Sequence, residues 1–125
     1  MKIECIKDKL SKYISKTEKI VAKNLTLPVL SCILLEAKKN NLIIKSTNLD
    51  LGVELTLPVK VEREGIIAVP AAVLNNTILN IYNNKNITLE VIGENLSIFT
   101  SSSSTLIKSM NYEDFPTIPG PAEEK

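Results

Sequence analysis

Five lysines recur at helical spacing near the start of the chain: Lys9, Lys12, Lys16, Lys19 and Lys23, within KDKLSKYISKTEKIVAK. With about 100° of rotation per residue and Lys7 set at zero, all five fall between about 120° and 200°. Leu10, Ile14, Thr17 and Val21 fall on the opposite side, with Tyr13 and Ile20 at its border. One face can therefore bury while the other carries a row of positive charge, roughly 21 Å long at about 1.5 Å per residue. Such a row can meet several phosphates of a nucleic acid backbone. A helix that is merely soluble usually mixes signs, with Glu four residues before Lys. Here only Asp8 and Glu18 interrupt the basic run. The competing interpretation of the same residues is a solvated helix face with no ligand.

The other reactive residue types exclude more than they suggest. There is no histidine, which removes Ser-His-Asp and Cys-His nucleophilic sites and His-based metal sites together. The four glycines are too scattered for a phosphate-binding loop or a dinucleotide fingerprint. Asp50, Glu54 and Asp114 invite an acid/base reading. Asp50 and Glu54, however, share a strand face four residues apart, which puts their carboxyls more than about 10 Å from one another. That exceeds even the wide pair of an inverting glycosidase. Asp50, next to Asn48, suits the capping of local backbone better than catalysis. No enzyme chemistry, cofactor or metal is expected. Cys5 and Cys32 form no CxxC pair, and the first residues contain no secretory apolar stretch, so both cysteines are expected to be buried thiols in a reducing cytoplasm. No run approaches the roughly 18 apolar residues of a membrane helix, so no membrane partner is expected.

These side chains need a scaffold, and 125 residues that are 44% hydrophobic are enough for one domain with a core of its own. The net charge of +1 conceals a segregation. The first 23 residues are rich in Lys, while Glu90, Glu94, Glu113, Asp114, Glu123 and Glu124 weight the second half toward acid. Local fields of this kind steer ligands more than net charge does.

Residues 2–6 read as a strand with Ile3 and Cys5 on one face, followed by the lysine helix over residues 7–21. The residue before Pro28 is pushed toward extended geometry, which stops any helix there. Residues 29–37 form a nearly continuous apolar strand, residues 38–41 a turn, and residues 42–47 a further strand. In residues 49–57, Leu49, Leu51, Val53, Leu55 and Leu57 alternate with Asp50, Gly52, Glu54 and Thr56, the pattern of a half-buried strand. The order then starts again: a strand over 65–69, a helix opened by Pro70 and ending near Tyr82, then strands over 87–91, 96–100 and 104–110. A strand, a helix and three strands occur twice over. The expected class is α+β: a duplicated strand-helix-three-strand unit, with two helices on one face of antiparallel sheets. The polar face of the second helix carries Asn76, Asn80 and Asn83, with Lys85 beyond its end. Pro119-Gly120-Pro121 followed by charge reads as an exit linker.

Four segments carry a resemblance: Thr26-Leu27-Pro28-Val29-Leu30, Ser46-Thr47-Asn48-Leu49-Asp50-Leu51-Gly52-Val53-Glu54, Val69-Pro70-Ala71, and Asp114-Phe115-Pro116. In this order and at these separations they resemble the N-terminal domain of the bacterial sliding clamp, the beta subunit of DNA polymerase III. The resemblance implies a DNA-clamp fold, with residues 1–118 as the first clamp domain and 119–125 as a linker toward later domains. It implies a processivity factor that closes head to tail as a homodimeric ring around duplex DNA, slides without reading sequence, and tethers the replicative polymerase. Polymerase and clamp loader would be engaged through the later domains. Lys9, Lys12, Lys16, Lys19 and Lys23 would face the DNA backbone, with Lys23 or Asn24 at the contacting loop. The resemblance also makes the serine-rich run at 101–105 the ring edge. Family members often carry basic and aromatic residues there, where this chain has Ser102, Ser104 and Thr105. Thr77 and Ile78, with Leu106 or Ile107, would supply an apolar contact at that edge. The alternative is a small intracellular protein-interaction domain with a basic helix and no DNA role.

Overall fold

A computed structural model describes residues 1–19, 31–47, 52–81, 85–111 and 113. The chain runs β1 (Lys2–Ile6), α1 (Lys7–Glu18), β2 (Cys32–Lys38), β3 (Asn41–Thr47), β4 (Gly52–Pro58), β5 (Lys60–Arg63), β6 (Gly65–Pro70), α2 (Ala71–Leu79), β7 (Asn86–Ile92), β8 (Asn95–Phe99) and β9 (Ser104–Lys108). This is the expected α+β order, with two helices and antiparallel sheets, plus one additional strand.

The strands form two sheets, ordered β5-β1-β7-β8-β9 and β4-β3-β2-β6. Each repeat sends its first strand into the other repeat's sheet. β1 pairs with β7 from Lys2↔Glu90 to Ile6↔Asn86, and β6 pairs with β2 from Cys32↔Pro70 to Ala37↔Gly65. One core results, not two. Ile3, Leu10, Ile14, Ile33, Leu35, Leu42, Ile44, Leu74, Ile78, Ile87 and Leu89 are fully buried in a single cluster drawn from both sheets and both helices.

Tight turns follow from local chemistry. The β2–β3 hairpin closes on Lys39 (φ 51°) and Asn40 (φ 60°), the two left-handed residues of a two-residue hairpin turn. The Lys39 N–H donates to Glu64 Oε2 at 3.1 Å, which helps hold this unusual lysine in place. The β7–β8 turn uses Gly93 at φ 62°, where a side chain would be strained.

Three sequence expectations are corrected. First, β5 was not anticipated. Only Val61 and Val59 turn inward around it, and Lys60, Glu62 and Arg63 are exposed, so its period-2 signal is weak. It exists because β1 offers an edge, with Ile3↔Val61 and Glu4↔Lys60 in register. Second, the lysine helix ends at Glu18 with Lys19 as its C-cap. Ile20, Val21, Lys23 and Asn24 lie outside the described residues. Third, α2 ends at Leu79, with Pro70 at the N-cap and not inside the helix. Of the expected 29–37 strand, Ser31 is described but lies before β2; residues 29–30 and 49–51, together with Asn83 and the linker at 119–125, lie outside the described residues.

Candidate nucleic-acid interface

Helix α1 is anchored from below and behind. Leu10, Ile14 and Thr17 are buried against the sheets. Thr17 Oγ1 donates to Ile14 O at 3.0 Å, and Ser46 Oγ of β3 donates to Thr17 O at 2.9 Å. The Thr17 carbonyl, in the last helical turn, accepts from the Lys19 backbone N–H at the C-cap as well as from this strand hydroxyl, so β3 ties down the helix end. Along the outer face Lys9, Lys12, Lys16 and Lys19 are all exposed, in a row about 15 Å long at about 1.5 Å per residue.

Their charge is not neutralised locally. The ion pairs among the described residues are Lys7–Asp8 at 3.7 Å, Lys45–Glu54 at 3.8 Å and Arg63–Glu90. None involves the four lysines of the row. Asp8, one of the two acids that break the basic run, pairs with Lys7 off the row. Glu18, the other, accepts a hydrogen bond from Asn75 Nδ2 of α2 at 2.8 Å. Lys16 Nζ sits 5.9 Å from the centre of the Tyr13 ring, a contact that orients the amine without removing its charge.

Helix α2 lies beside α1 but presents a different surface. Asn76 and Asn80 are exposed, as is Lys85 beyond the helix. Asn75, adjacent in sequence, is only 9% exposed and sits between the helices. Among the expected edge residues, Ser102, Ser104, Thr105 and Leu106 are exposed on or beside β9, an outer strand of its sheet. Thr77 is half-buried and its hydroxyl donates to Val73 O at 2.7 Å. Ile78 and Ile107 are corrected. Both are buried in the core, because Ile78 follows Leu74 by four residues and shares its inward face, and Ile107 points inward from β9. On α2 and β9 the large apolar side chains that do reach the surface are Leu79 and Val73, each 47% exposed, and Leu106 at 60%. The serine-rich run has a local structure of its own: Thr100 Oγ1 accepts from the Ser102 and Ser103 N–H groups at 3.2 and 2.9 Å.

Glu54 pairs with Lys45, and Asp50 and Asp114 lie outside the described residues. Among the described residues no three His, Cys, Asp or Glu side chains gather as metal ligands, and no helix is long and apolar enough to cross a membrane. Both cysteines are buried. Burial, with the Glu4 charge adding to it, pushes the Cys5 thiol from 9.0 to about 12. Burial lifts Cys32 to about 11 against a hydrogen bond with Ser31. A raised folded-state value means stability that is complete below pH 9 and is lost as pH rises through 11 to 12, where burial resists thiolate formation. Native protein at pH 8 should thus resist alkylation at both thiols while urea-unfolded protein reacts at both. Unfolding midpoints should hold level to about pH 9 and then fall. Rapid native labelling would contradict the burial.

Comparison with known proteins places this architecture. The family model for the DNA polymerase III beta subunit, N-terminal domain, matches residues 1–119. The beta sliding clamp of Synechocystis is 31% identical over 128 residues, and that of Synechococcus elongatus 27% identical over 121 residues. Each match covers 95% of this chain and 32% of the relative, so the chain spans about a third of the length of these curated relatives. Among solved structures, a sliding clamp from Bartonella birtlesii superposes with a TM-score of 0.88 at 28% identity, covering 96% of this chain and 32% of that one. A DNA polymerase III beta subunit from Thermotoga maritima gives 0.87 at 27%, covering 94% and 32%. The fold is therefore the clamp fold, and the chain belongs to the DNA polymerase III beta subunit N-terminal domain family.

Proposed function

We propose that this chain is the first domain of a sliding clamp, a non-enzymatic cytoplasmic processivity factor that encircles duplex DNA and tethers the replicative polymerase. The observation that carries this reading is the un-neutralised row of Lys9, Lys12, Lys16 and Lys19 on a helix locked to the core from its opposite face. Sliding needs many weak, exchangeable phosphate contacts and no base readout. A rigid row of flexible amines supplies such contacts. Lys23 and Asn24, by their place in sequence, would extend the row.

The sheet edges support ring assembly. One edge of each sheet is blunted. β5 is short, charged and irregular in register against β1, and β6 is bridged by Met110 at Ala68. The other edges, β4 and β9, are the last strands of the two repeats, and each has one strand neighbour among the described residues. Long open edges are where further chains add. In this reading, β9 with Ser102, Ser104, Thr105 and Leu106, flanked by Thr77 and Leu79 of α2, meets a second chain head to tail. In this reading polymerase and clamp loader bind through later domains; the Helicobacter pylori beta clamp, a structural neighbour, is seen bound to a DNA ligase peptide.

The test is topological. Full-length protein loaded on circular duplex should remain through a high-salt wash that strips it from linear duplex, because encirclement is not screened and lysine–phosphate contacts are. Equal loss from both substrates would overturn the ring reading.

A further inference from the structure

Glu18 sits one residue from Lys19, yet its carboxylate is turned away from the lysine row. Around the α1 axis the four lysines occupy about 120° to 200°, Ser15 about 80° and Glu18 about 20°. The Ser15 and Glu18 flank is the one that faces α2. There a single side chain engages both residues: Asn75 Nδ2 donates to Glu18 Oε1 at 2.8 Å, and Asn75 Oδ1 accepts from Ser15 Oγ at 3.1 Å. Both ends of the amide are used, and Asn75 is 9% exposed. The Glu18 carboxylate, an acceptor only, takes the donor end of the amide, and the Ser15 hydroxyl then donates to the oxygen end.

We propose that Asn75 is a positioning residue for the DNA-facing row, holding the Glu18 carboxylate on the interhelix flank so that it does not neutralise Lys19. Sequence neighbours on this helix can pair, since Lys7 and Asp8 do so at 3.7 Å. Without Asn75 the half-exposed Glu18 loses its anchor and has an ammonium next to it. Lys19 then spends its charge within the protein, and the row offers three free cations to phosphate in place of four. Asn75 touches no DNA in this arrangement and acts through Glu18 alone.

The inference rests on the proposed DNA role and is tested on the full-length protein by the slope of log association constant against log salt. Asn75→Leu should make the slope shallower by about 0.9, the value of one phosphate contact. Adding Glu18→Gln to that variant should restore the original slope, because the substituted side chain has no charge to give Lys19. An unchanged slope in Asn75→Leu overturns the proposal. So does a double variant as shallow as the single, which would mark Asn75 as merely structural. If Asn75→Leu does not fold, Asn75→Ser shortens the reach without adding bulk, and the same outcomes apply. A combined Lys12, Lys16 and Lys19 to Gln variant separates the two readings. If it leaves the slope unchanged, the DNA role itself fails. If it flattens the slope and the Asn75 variants do not, only this inference fails.

Discussion

Replacing Lys12, Lys16 and Lys19 together with glutamine is expected to flatten the salt dependence of DNA association by about 2.7 in log–log slope, at about 0.9 per lost phosphate contact. The full-length protein should lose affinity most at low salt, where screening is weakest. All three side chains are exposed, and their ammonium groups take part in no ion pair among the described residues. Exposed positions of this kind change stability by only about 0.5 kcal/mol or less each. The contact of Lys16 with the Tyr13 ring adds about 0.5 to 1 kcal/mol at most. Binding and folding should therefore separate: a large change in salt slope with a nearly unchanged unfolding midpoint. A slope that does not move would remove the row from the DNA interface.

Leu10→Ala should do the reverse. Leu10 is fully buried beneath α1, within the cluster that joins both helices to both sheets. Truncation loses the transfer energy of the removed methyl and methine groups and leaves a cavity, at a cost of about 2 to 5 kcal/mol. Against a typical total of about 5 to 15 kcal/mol this is a large fraction. Chemical denaturation should show the midpoint shifted with the m-value held. A loss below about 1 kcal/mol would mean that α1 is not docked as described. The comparison matters for function, since α1 is held chiefly by its buried face and the lysines contribute little to keeping it in place.

Much of this was legible in the residue pattern. The period of Leu10, Ile14 and Thr17 against Lys9, Lys12 and Lys16 was enough to orient α1, because burial follows helical geometry whatever the partner. The alternation of Val53, Leu55 and Leu57 was enough to orient β4 in the same way. Three features were not legible. β5 is mostly polar and forms because an edge of β1 needs a partner. The resemblance sets Ile78 at the ring edge, but its turn-by-turn match with Leu74 turns it into the core. Asn75 looked like one more helical asparagine among Asn76 and Asn80. Its one signal was a position four residues from Ala71 and three from Ile78, both buried, too slight to identify a side chain that bonds across to α1.

The sequence by itself determined the two strand-helix-strand units, the buried faces of α1 and β4 and the concentration of lysine on one helix. These follow from local periodicity and composition, which do not depend on distant parts of the chain. Only the tertiary structure decided that β1 and β6 exchange sheets, so that two weak halves share one core. It alone decided that α2 lies beside α1, and that Glu18 faces an amide while Lys19 faces outward. These contacts join residues far apart in the chain, such as Ser15 with Asn75, Lys2 with Glu90 and Ala37 with Gly65. Period and propensity say which face of an element is buried but not what it is buried against, and the net charge of the lysine row depends on that second fact.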